Sequence, residues 1–296
     1  MNVKLLLPIG LVLLLGACVK EPQADFSLEA PSQAAPVKVQ CINQSINADS
    51  YAWDFGDGHT STEENPAHEY RKFGEMMVVL RAYKDQEVSV DSMLINIPEP
   101  PRRHAVIETN YGNIQIELSN RTPLHRDNFI KLAEQSFYDS LLFHRVIQGF
   151  MIQGGDPLSR NAEPGQALGA GDPGYTIPAE FDEALVHVRG ALATARTGDQ
   201  VNPQKASSGS QFYIVQGQPV SASMLSQLQQ YKGRTYSPEQ VAAYSQNGGA
   251  PMLDWDYTVF GHVVEGLDVV DKIAAVAVDP NARPLEDVRM RVRMLD

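Results

Sequence analysis

The sequence predicts a mostly β protein with two domains joined by a proline-rich linker. Residues 25–97 carry short segments of alternating apolar and polar residues, separated by turn residues and without a long helical period. Residues 104–296 begin and end with alternating segments that enclose two helical patterns. That order is typical of an antiparallel sheet or barrel covered by helices. Between the two regions, the prolines of residues 98–103 predict a stiff, extended linker.

The net charge and the cysteine and histidine content of the chain argue against several classes of function. The 296-residue chain carries a formal net charge of −12 at pH 7, which disfavours nucleic acid as a partner. Its 2 cysteines are too few for a disulfide scaffold or a cysteine-rich zinc site. The 7 histidines show no paired spacing typical of metal ligands. These counts indicate no metal site, and for the reaction inferred below, which breaks no bond, we expect no cofactor either.

Residues 1–17 have the pattern of a lipoprotein signal peptide. Lys4 precedes an apolar run over residues 5–15, which is shorter than the roughly 20 residues of a membrane-spanning helix. Leu15-Gly16-Ala17-Cys18 then resembles the bacterial lipobox, in which the cysteine sulfur accepts the lipid. The alternative is an ordinary secretory peptide that ends near a cysteine.

The lipobox resemblance implies a membrane anchor at Cys18, with residues 18–24 as a lipidated tether. It places the protein at the bacterial cell envelope. Val19 stands where an aspartate would retain an enterobacterial lipoprotein at the inner membrane, which favours the outer membrane. The face, periplasmic or surface, stays open.

A glycine-rich turn marks the domain at residues 25–97. Trp53-Asp54-Phe55-Gly56-Asp57-Gly58 is followed by Asn65-Pro66, His68, Tyr70 and Gly74, and this set resembles the PKD domain, an immunoglobulin-like β-sandwich. The resemblance implies a spacer or a binding module for a protein or glycan partner. We expect Trp53 in the core, His68 in a structural hydrogen bond, and the two aspartates capping turn amides. Two carboxylates fall short of the six to eight oxygens that Ca²⁺ takes.

Strand and helix patterns organise residues 104–296. Alternation predicts strands around Ile114–Leu118 and Val288–Met294, the latter with an outward arginine stripe at positions 289, 291 and 293. Helical spacing covers residues 123–134 and about 267–276. Residues 218–250 read as an insertion with two helices, the second starting at the capping box Ser237-Pro238-Glu239-Gln240.

Three sequence motifs in this domain indicate its fold and its function. They span residues 143–156, 208–214 and 253–261, and in this order they resemble the cyclophilin family of peptidyl-prolyl isomerases. The resemblance implies an eight-stranded antiparallel β-barrel with two capping helices over residues 104–296. Its substrates would be X–Pro segments of unfolded or flexible proteins.

The residues of the first motif suit that substrate. Arg145 offers a cation, Phe150 and Met151 offer apolar surface, and Gln153 offers an amide within nine residues. Met151 and Gln153 would share one face of a strand. A cation beside an apolar wall suits proline, which is apolar yet carries an amide. The alternative is that these residues merely line the barrel.

Matched positions in the family imply a role for each site residue. Arg145 would donate to the proline nitrogen, and Gln153 would bind the substrate carbonyl. Gln211 would order the polar network, and His144 is expected to be structural. The proline pocket would be lined by Phe150, Met151, Tyr213 and Leu253, while Ala195 and Arg196 would pair with the substrate backbone.

Three site positions depart from common members of the family. Tyr213 replaces a phenylalanine and adds a hydroxyl that needs a partner. Met252 and Tyr257 stand where many eukaryotic members have tryptophan and histidine, and we also assign both to substrate binding. Without the indole donor, we expect weak binding of cyclosporin.

The sequence therefore predicts a peptidyl-prolyl cis-trans isomerase that acts on exported proteins at the cell envelope. Two alternatives stay open. The barrel could be a non-catalytic peptide-binding chaperone, or the PKD-like domain could be the working part of an envelope binding protein.

Overall fold

The computed structural model describes residues 20–29 and 33–295. The predicted signal peptide and Cys18 lie outside the described residues. The described residues divide into two compact units, one up to Tyr70 together with Gly74–Ile97, and one of Arg71–Phe73 together with the residues from Pro98 onward. Among the described residues, no helix combines the length and the apolar character needed to cross a membrane.

The first unit consists of two antiparallel sheets. One has the order β1-β2-β5, with β1 (Phe26–Glu29), β2 (Val37–Asn43) and β5 (Ala67–Tyr70). The other has the order β4-β3-β6-β7, with β3 (Ser50–Asp54), β4 (Thr60–Ser61), β6 (Gly74–Lys84) and β7 (Glu87–Ile97). The long β6–β7 hairpin pairs Gly74 with Ile97 and Lys84 with Glu87, so the register is continuous along both strands.

The core of the first unit lies between these sheets. Trp53 from β3 is 1% exposed, and its ring meets that of Phe26 from β1 edge-on at 5.2 Å. The indole Nε1 donates to the Glu63 carbonyl at 2.9 Å, so this buried donor is satisfied. Cys41 is also buried, and burial raises the pKa of its thiol to about 11. The predicted core role of Trp53 is confirmed.

The glycine-rich turn has the expected capping pattern. Asp54 Oδ1 accepts from the Gly56 amide at 2.9 Å, and Asp57 Oδ1 accepts from the His59 amide at 3.1 Å. Gly56 has φ +80°, and a Cβ there would lie 2.7 Å from the Met77 carbonyl oxygen. Any larger residue would clash with β6, so the turn requires glycine at this position.

The second unit is a closed antiparallel barrel with the strand order β10-β11-β15-β13-β16-β9-β8-β17. Its strands are β8 (Arg103–Thr109), β9 (Gly112–Leu118), β10 (Leu141–Ile147), β11 (Met151–Gly154), β13 (Ala191–Thr194), β15 (Phe212–Val215), β16 (Val259–Glu265) and β17 (Arg289–Leu295). A separate pair comprises β12 (Thr176–Ile177) and β14 (Ser207–Ser208). The predicted eight-stranded barrel is confirmed.

Two helices pack against the barrel core. They are α1 (Pro123–Glu134) and α4 (Leu267–Ala274). Phe129 from α1 and Val270 from α4 join the same buried cluster as Ile107, Ile152 and Ile214 of the strands. Pro123 occupies the first turn of α1, where a missing amide costs nothing. The structure matches the predicted bounds of α1 and ends α4 two residues before the predicted Val276.

The insertion folds as two helices, α2 (Ala222–Lys232) and α3 (Pro238–Asn247). Ser221 caps α2 through Met224, and Ser237 and Gln240 form the predicted reciprocal capping box of α3. The insertion buries Leu225, Tyr236 and Tyr244 in one cluster with Val186, which precedes the insertion in the chain. This packing explains why the insertion is ordered although it lies outside the barrel interior.

The arginine stripe of β17 is only partly a solvated face. Arg291 is exposed, as expected. Arg293 is half-buried and donates from both terminal nitrogens to the two carboxylate oxygens of Asp139, at 2.8 and 2.7 Å. The prediction of a solvated face is therefore wrong for Arg293, because Asp139 supplies a bidentate partner from a distant turn.

Candidate active site

Strand alternation on β11 separates the barrel interior from an outer apolar face. Ile152 belongs to the interior cluster. Met151 belongs to a second buried cluster, which also contains Ala193, Tyr213 and Val259. Successive side chains on a strand point to opposite faces, so Met151 and Gln153 share the outer face. The alternative that Met151 lines the barrel interior is therefore wrong.

A cavity of about 610 Å³ opens on this outer face. Nine of the eleven predicted substrate-site residues line it: Arg145, Phe150, Met151, Gln153, Ala195, Arg196, Tyr213, Leu253 and Tyr257. Cavities of this size are typical of small-molecule and peptide side-chain sites. The structure thus brings together residues that are more than 100 positions apart in the sequence.

Arg145 and Gln153 face each other across the β10–β11 pair. Their Cα atoms are register partners, and the register shifts between Phe143 and Arg145. Arg145 Nη1 donates to Gln153 Oε1 at 3.1 Å, while the Arg145 side chain stays exposed at the cavity rim. A guanidinium has five N–H donors, so one bond to Gln153 leaves others for a bound substrate.

Gln211 orients Gln153 from below the cavity. Gln153 Nε2 donates to Gln211 Oε1 at 3.1 Å. Gln211 Nε2 in turn donates to the carbonyls of Gly169 at 3.0 Å and Gly171 at 2.7 Å. Gln211 does not line the cavity itself. Its position supports the predicted role in ordering the polar network.

The apolar wall combines buried and rim residues. Met151 and Tyr213 are 1% and 4% exposed, and Phe150, Leu253 and Tyr257 are half-buried. The Arg196 guanidinium lies 4.5 Å from the centre of the Tyr257 ring, and its Nε donates to the Asp256 carbonyl at 2.7 Å. Arg196 therefore fixes the Tyr257 side of the wall.

Ala195 does not have the free backbone that substrate pairing would need. Its amide donates to the Gln211 carbonyl at 3.0 Å, and its carbonyl accepts from the Ser208 amide at 2.8 Å. Both groups are committed within the barrel domain. The expected pairing of the Ala195 backbone with a substrate is therefore wrong for its amide, which has no free N–H, although Ala195 lines the cavity.

Met252 lies outside the cavity, in contrast to the expectation. It is the middle residue of the short 3-10 helix Pro251–Leu253, and it is 45% exposed. Successive side chains in a 3-10 helix turn by about 120°, so neighbouring residues face different directions. Leu253 faces the cavity, and Met252 does not.

The Tyr213 hydroxyl ends a buried chain of hydrogen bonds. Tyr213 Oη lies 3.0 Å from His187 Nε2, and His187 Nδ1 lies 2.8 Å from Asp254 Oδ1. Asp254 Oδ2 accepts from the hydroxyls of Tyr236 at 2.8 Å and Tyr244 at 2.6 Å, both in the insertion. Burial raises the pKa of Tyr213 well above its usual value, so the hydroxyl stays neutral. The sequence indicated that this hydroxyl needs a partner, but nothing in it pointed to His187.

Lys232 at the end of α2 holds the same wall. Its Nζ donates to the carbonyls of Met252 at 2.7 Å and Asp254 at 2.6 Å, and to Asp256 Oδ2 at 2.8 Å. These partners flank the cavity residues Leu253 and Tyr257. The insertion therefore contacts the cavity wall through a cation as well as through two tyrosines.

The cavity also has five polar lining residues, four of which were missed by sequence reasoning. They are His144, Gln166, Asp279, Asn281 and Arg283. His144 is 4% exposed, and neither ring nitrogen has a hydrogen-bond partner among the described residues. Burial lowers the pKa of His144 to about 4, so its ring is neutral near pH 7. The other four residues lie in loops outside the three motifs and carried no signal.

Comparisons with known proteins agree with this geometry. The family model of the cyclophilin type peptidyl-prolyl cis-trans isomerases matches residues 104–293, and that of the PKD domain matches residues 19–97. A Staphylococcus saprophyticus protein named as a peptidyl-prolyl cis-trans isomerase is 38% identical over 184 residues, which are 62% of this chain and 86% of the relative. A Staphylococcus aureus strain USA300 protein with the same name is 39% identical over 184 residues, with the same coverage.

A cyclophilin type peptidyl-prolyl cis-trans isomerase of Cryptosporidium parvum is similar in structure. The match covers 66% of this chain and 99% of that chain, with a TM-score of 0.48 and 23% identity. The family model covers well over half of the sequence. The chain therefore belongs to the cyclophilin-type peptidyl-prolyl cis-trans isomerases, and a PKD domain precedes its catalytic domain.

Proposed function

We propose that the cavity beside Arg145 catalyses X–Pro rotation in exported proteins, and that Cys18 anchors the enzyme at the bacterial cell envelope. The observation that carries the catalytic part is the placement of Arg145. Its guanidinium lies at the rim of an open cavity, opposite Gln153 and beside the apolar wall of Met151 and Tyr213. A proline ring fits that wall, and its amide then lies near the two polar side chains.

The reaction requires a reduction in the double-bond character of the C–N bond. The barrier to rotation is about 18–20 kcal/mol, and no covalent bond is broken. A donor aimed at the proline nitrogen stabilises the twisted, pyramidal amide more than the planar one. The Arg145 guanidinium supplies that donor. Lowering the barrier by about 7 kcal/mol accelerates rotation roughly 10⁵-fold.

Gln153 holds the other side of the rotating amide. Its Oε1 accepts from Arg145, and one N–H of its amide donates to Gln211. The second N–H of the same amide is available to the substrate carbonyl. Arg145 and Gln153 thus orient each other, and Gln211 fixes which end of the Gln153 amide faces Arg145.

An isomerisation assay on an X–Pro peptide tests the catalytic proposal. Arg145→Ala is expected to lower kcat/KM at least about 100-fold, because it removes a donor used in the transition state. Arg291→Ala, an exposed arginine on β17 outside the cavity, is the matched control and should leave turnover unchanged. Equal turnover in wild type and Arg145→Ala would overturn the proposed mechanism.

Metabolic labelling tests the location. When the full chain is expressed in a bacterium with an alkyne-tagged fatty acid, wild type should take up label and fractionate with membranes. Cys18→Ala should lose both properties. Cys41→Ala keeps Cys18 and should behave as wild type, since Cys41 is buried in the first unit. An unlabelled wild-type chain, or equal labelling of Cys18→Ala, would contradict the anchor.

A further inference from the structure

Two histidines and an aspartate converge at the turn of the PKD domain. Asp57 and His59 lie in the turn after β3, and His68 lies on β5. Their ligand-type atoms all lie within 4.8 Å of one another. His68 Nε2 is 2.7 Å from Asp57 Oδ2, and His59 Nδ1 is 3.2 Å from Asp57 Oδ1. The predicted hydrogen bond of His68 is present, but the sequence did not indicate the approach of His59.

Packing holds two of the three side chains in place. The His68 ring stacks on Phe55, with centroids 4.1 Å apart and an interplanar angle of 1°, and meets Tyr70 edge-on at 4.6 Å. Asp57 is fixed from the other side, because its Oδ1 accepts from the His59 amide. The carboxylate is therefore preorganised.

His59 differs from these two, because its side chain is 73% exposed. It can rotate at little cost, and its open side leaves room for water. Two imidazoles and one carboxylate form a donor set that suits zinc, nickel and copper better than calcium or magnesium. In a tetrahedral zinc site the donor atoms lie about 3.3 Å apart, as bond lengths of roughly 2.0–2.1 Å dictate. The His59–Asp57 separation of 3.2 Å is close to that value, and the His68–Asp57 separation of 2.7 Å would lengthen on binding.

We propose that Asp57, His59 and His68 form a binding site for a divalent transition metal, with zinc as the representative ion. Asp57 and His68 provide the fixed ligands, His59 closes the site, and water completes the coordination. On binding, His68 takes the tautomer whose proton lies on Nδ1, so that the Nε2 lone pair, which faces Asp57 in this structure, is available to the metal. The metal then joins the turn after β3 to β5 and stabilises the domain.

Calorimetric titration of the tag-free full chain with zinc chloride tests this site. Wild type should bind one zinc ion saturably, and zinc should raise the melting temperature. His59→Ala should weaken binding at least about tenfold, since loss of a ligand costs no less than loss of an outer-shell partner. Because the His59 side chain is exposed, the variant should fold as wild type does, and circular dichroism checks this directly.

His262→Ala is the matched control. His262 is also exposed and faces a carboxylate, but its Nε2 lies 3.9 Å from Glu117 Oε1, which also accepts from Arg102. This variant should bind zinc as wild type does. Both cysteines are present in all three chains, so they do not affect the comparison. Absence of saturable binding in wild type, or equal affinity in His59→Ala, would overturn the proposal.

Discussion

At the scale of single residues, the site depends on hydrogen bonds that leave selected donors free. Gln211 holds one N–H of Gln153, and Arg145 holds its oxygen, so the amide can turn only one group toward a substrate. Loss of Gln211 would allow Gln153 to flip. These contacts therefore fix the orientation of the Gln153 amide and so determine which group it presents to a substrate.

The buried side chain of His144 makes the free energy of unfolding depend on pH. Its pKa falls from 6.5 in the unfolded chain to about 4 in the folded one, chiefly because it is buried. Between these values the unfolded state binds more protons, so stability decreases as the pH falls. From pH 7.5 to 5.0, wild type should lose about 2 kcal/mol more unfolding free energy than His144→Leu. Denaturant unfolding at both pH values measures this, and equal losses would contradict the assigned burial effect.

At the scale of elements, the insertion and the cavity wall act together. The carbonyls and carboxylate that Lys232 binds flank Leu253 and Tyr257, and Asp254 joins the wall to Tyr236 and Tyr244. The 3-10 helix Pro251–Leu253 forms part of this wall, and hydrogen bonds from the insertion help to hold it in place. Helix α2 positions it.

Lys232→Met tests this positioning. Without the ammonium group, three hydrogen bonds are lost and the wall can move, so KM should rise roughly tenfold with a smaller change in kcat. Arg234→Met is the control, because its ion pair with Glu183 is exposed and contributes little. Lys232→Arg should restore part of the loss. Identical KM values for wild type and Lys232→Met would show that α2 does not position the wall.

Individual elements also show which positions the sequence predicts correctly and which it does not. Arg145, Met151 and Gln153 lie within nine residues on two paired strands, so alternation and spacing place them correctly. The prediction that Met252 binds substrate was wrong because, in the 3-10 helix Pro251–Leu253, Leu253 faces the cavity and its neighbour Met252 does not. His187 and the approach of His59 to His68 could not be predicted, since their contacts depend on tertiary packing. The capping box located the second insertion helix, because its contacts are local.

At the scale of the whole molecule, the two units have separate cores and separate sites. All residues that line the cavity belong to the second unit, and the three residues of the proposed metal site belong to the first. The cavity beside Arg145 and the proposed metal site therefore lie in different units.

Deleting residues 25–97 tests this separation. Since the barrel has its own core, kcat/KM on a short X–Pro peptide should stay within about twofold of the full chain. Any zinc binding by the Asp57 site should disappear with the deleted segment. A loss of peptide isomerisation in a folded deletion variant would contradict the division of function, and circular dichroism establishes whether the variant is folded.

The most direct measurement is a structure of the full chain bound to an X–Pro peptide. The account predicts the proline ring against Met151, Tyr213 and Leu253, a guanidinium nitrogen of Arg145 within about 3.2 Å of the proline nitrogen, and the Gln153 amide donating to the preceding carbonyl. A peptide bound elsewhere, or an Arg145 side chain that turns away from the bound proline, would contradict it.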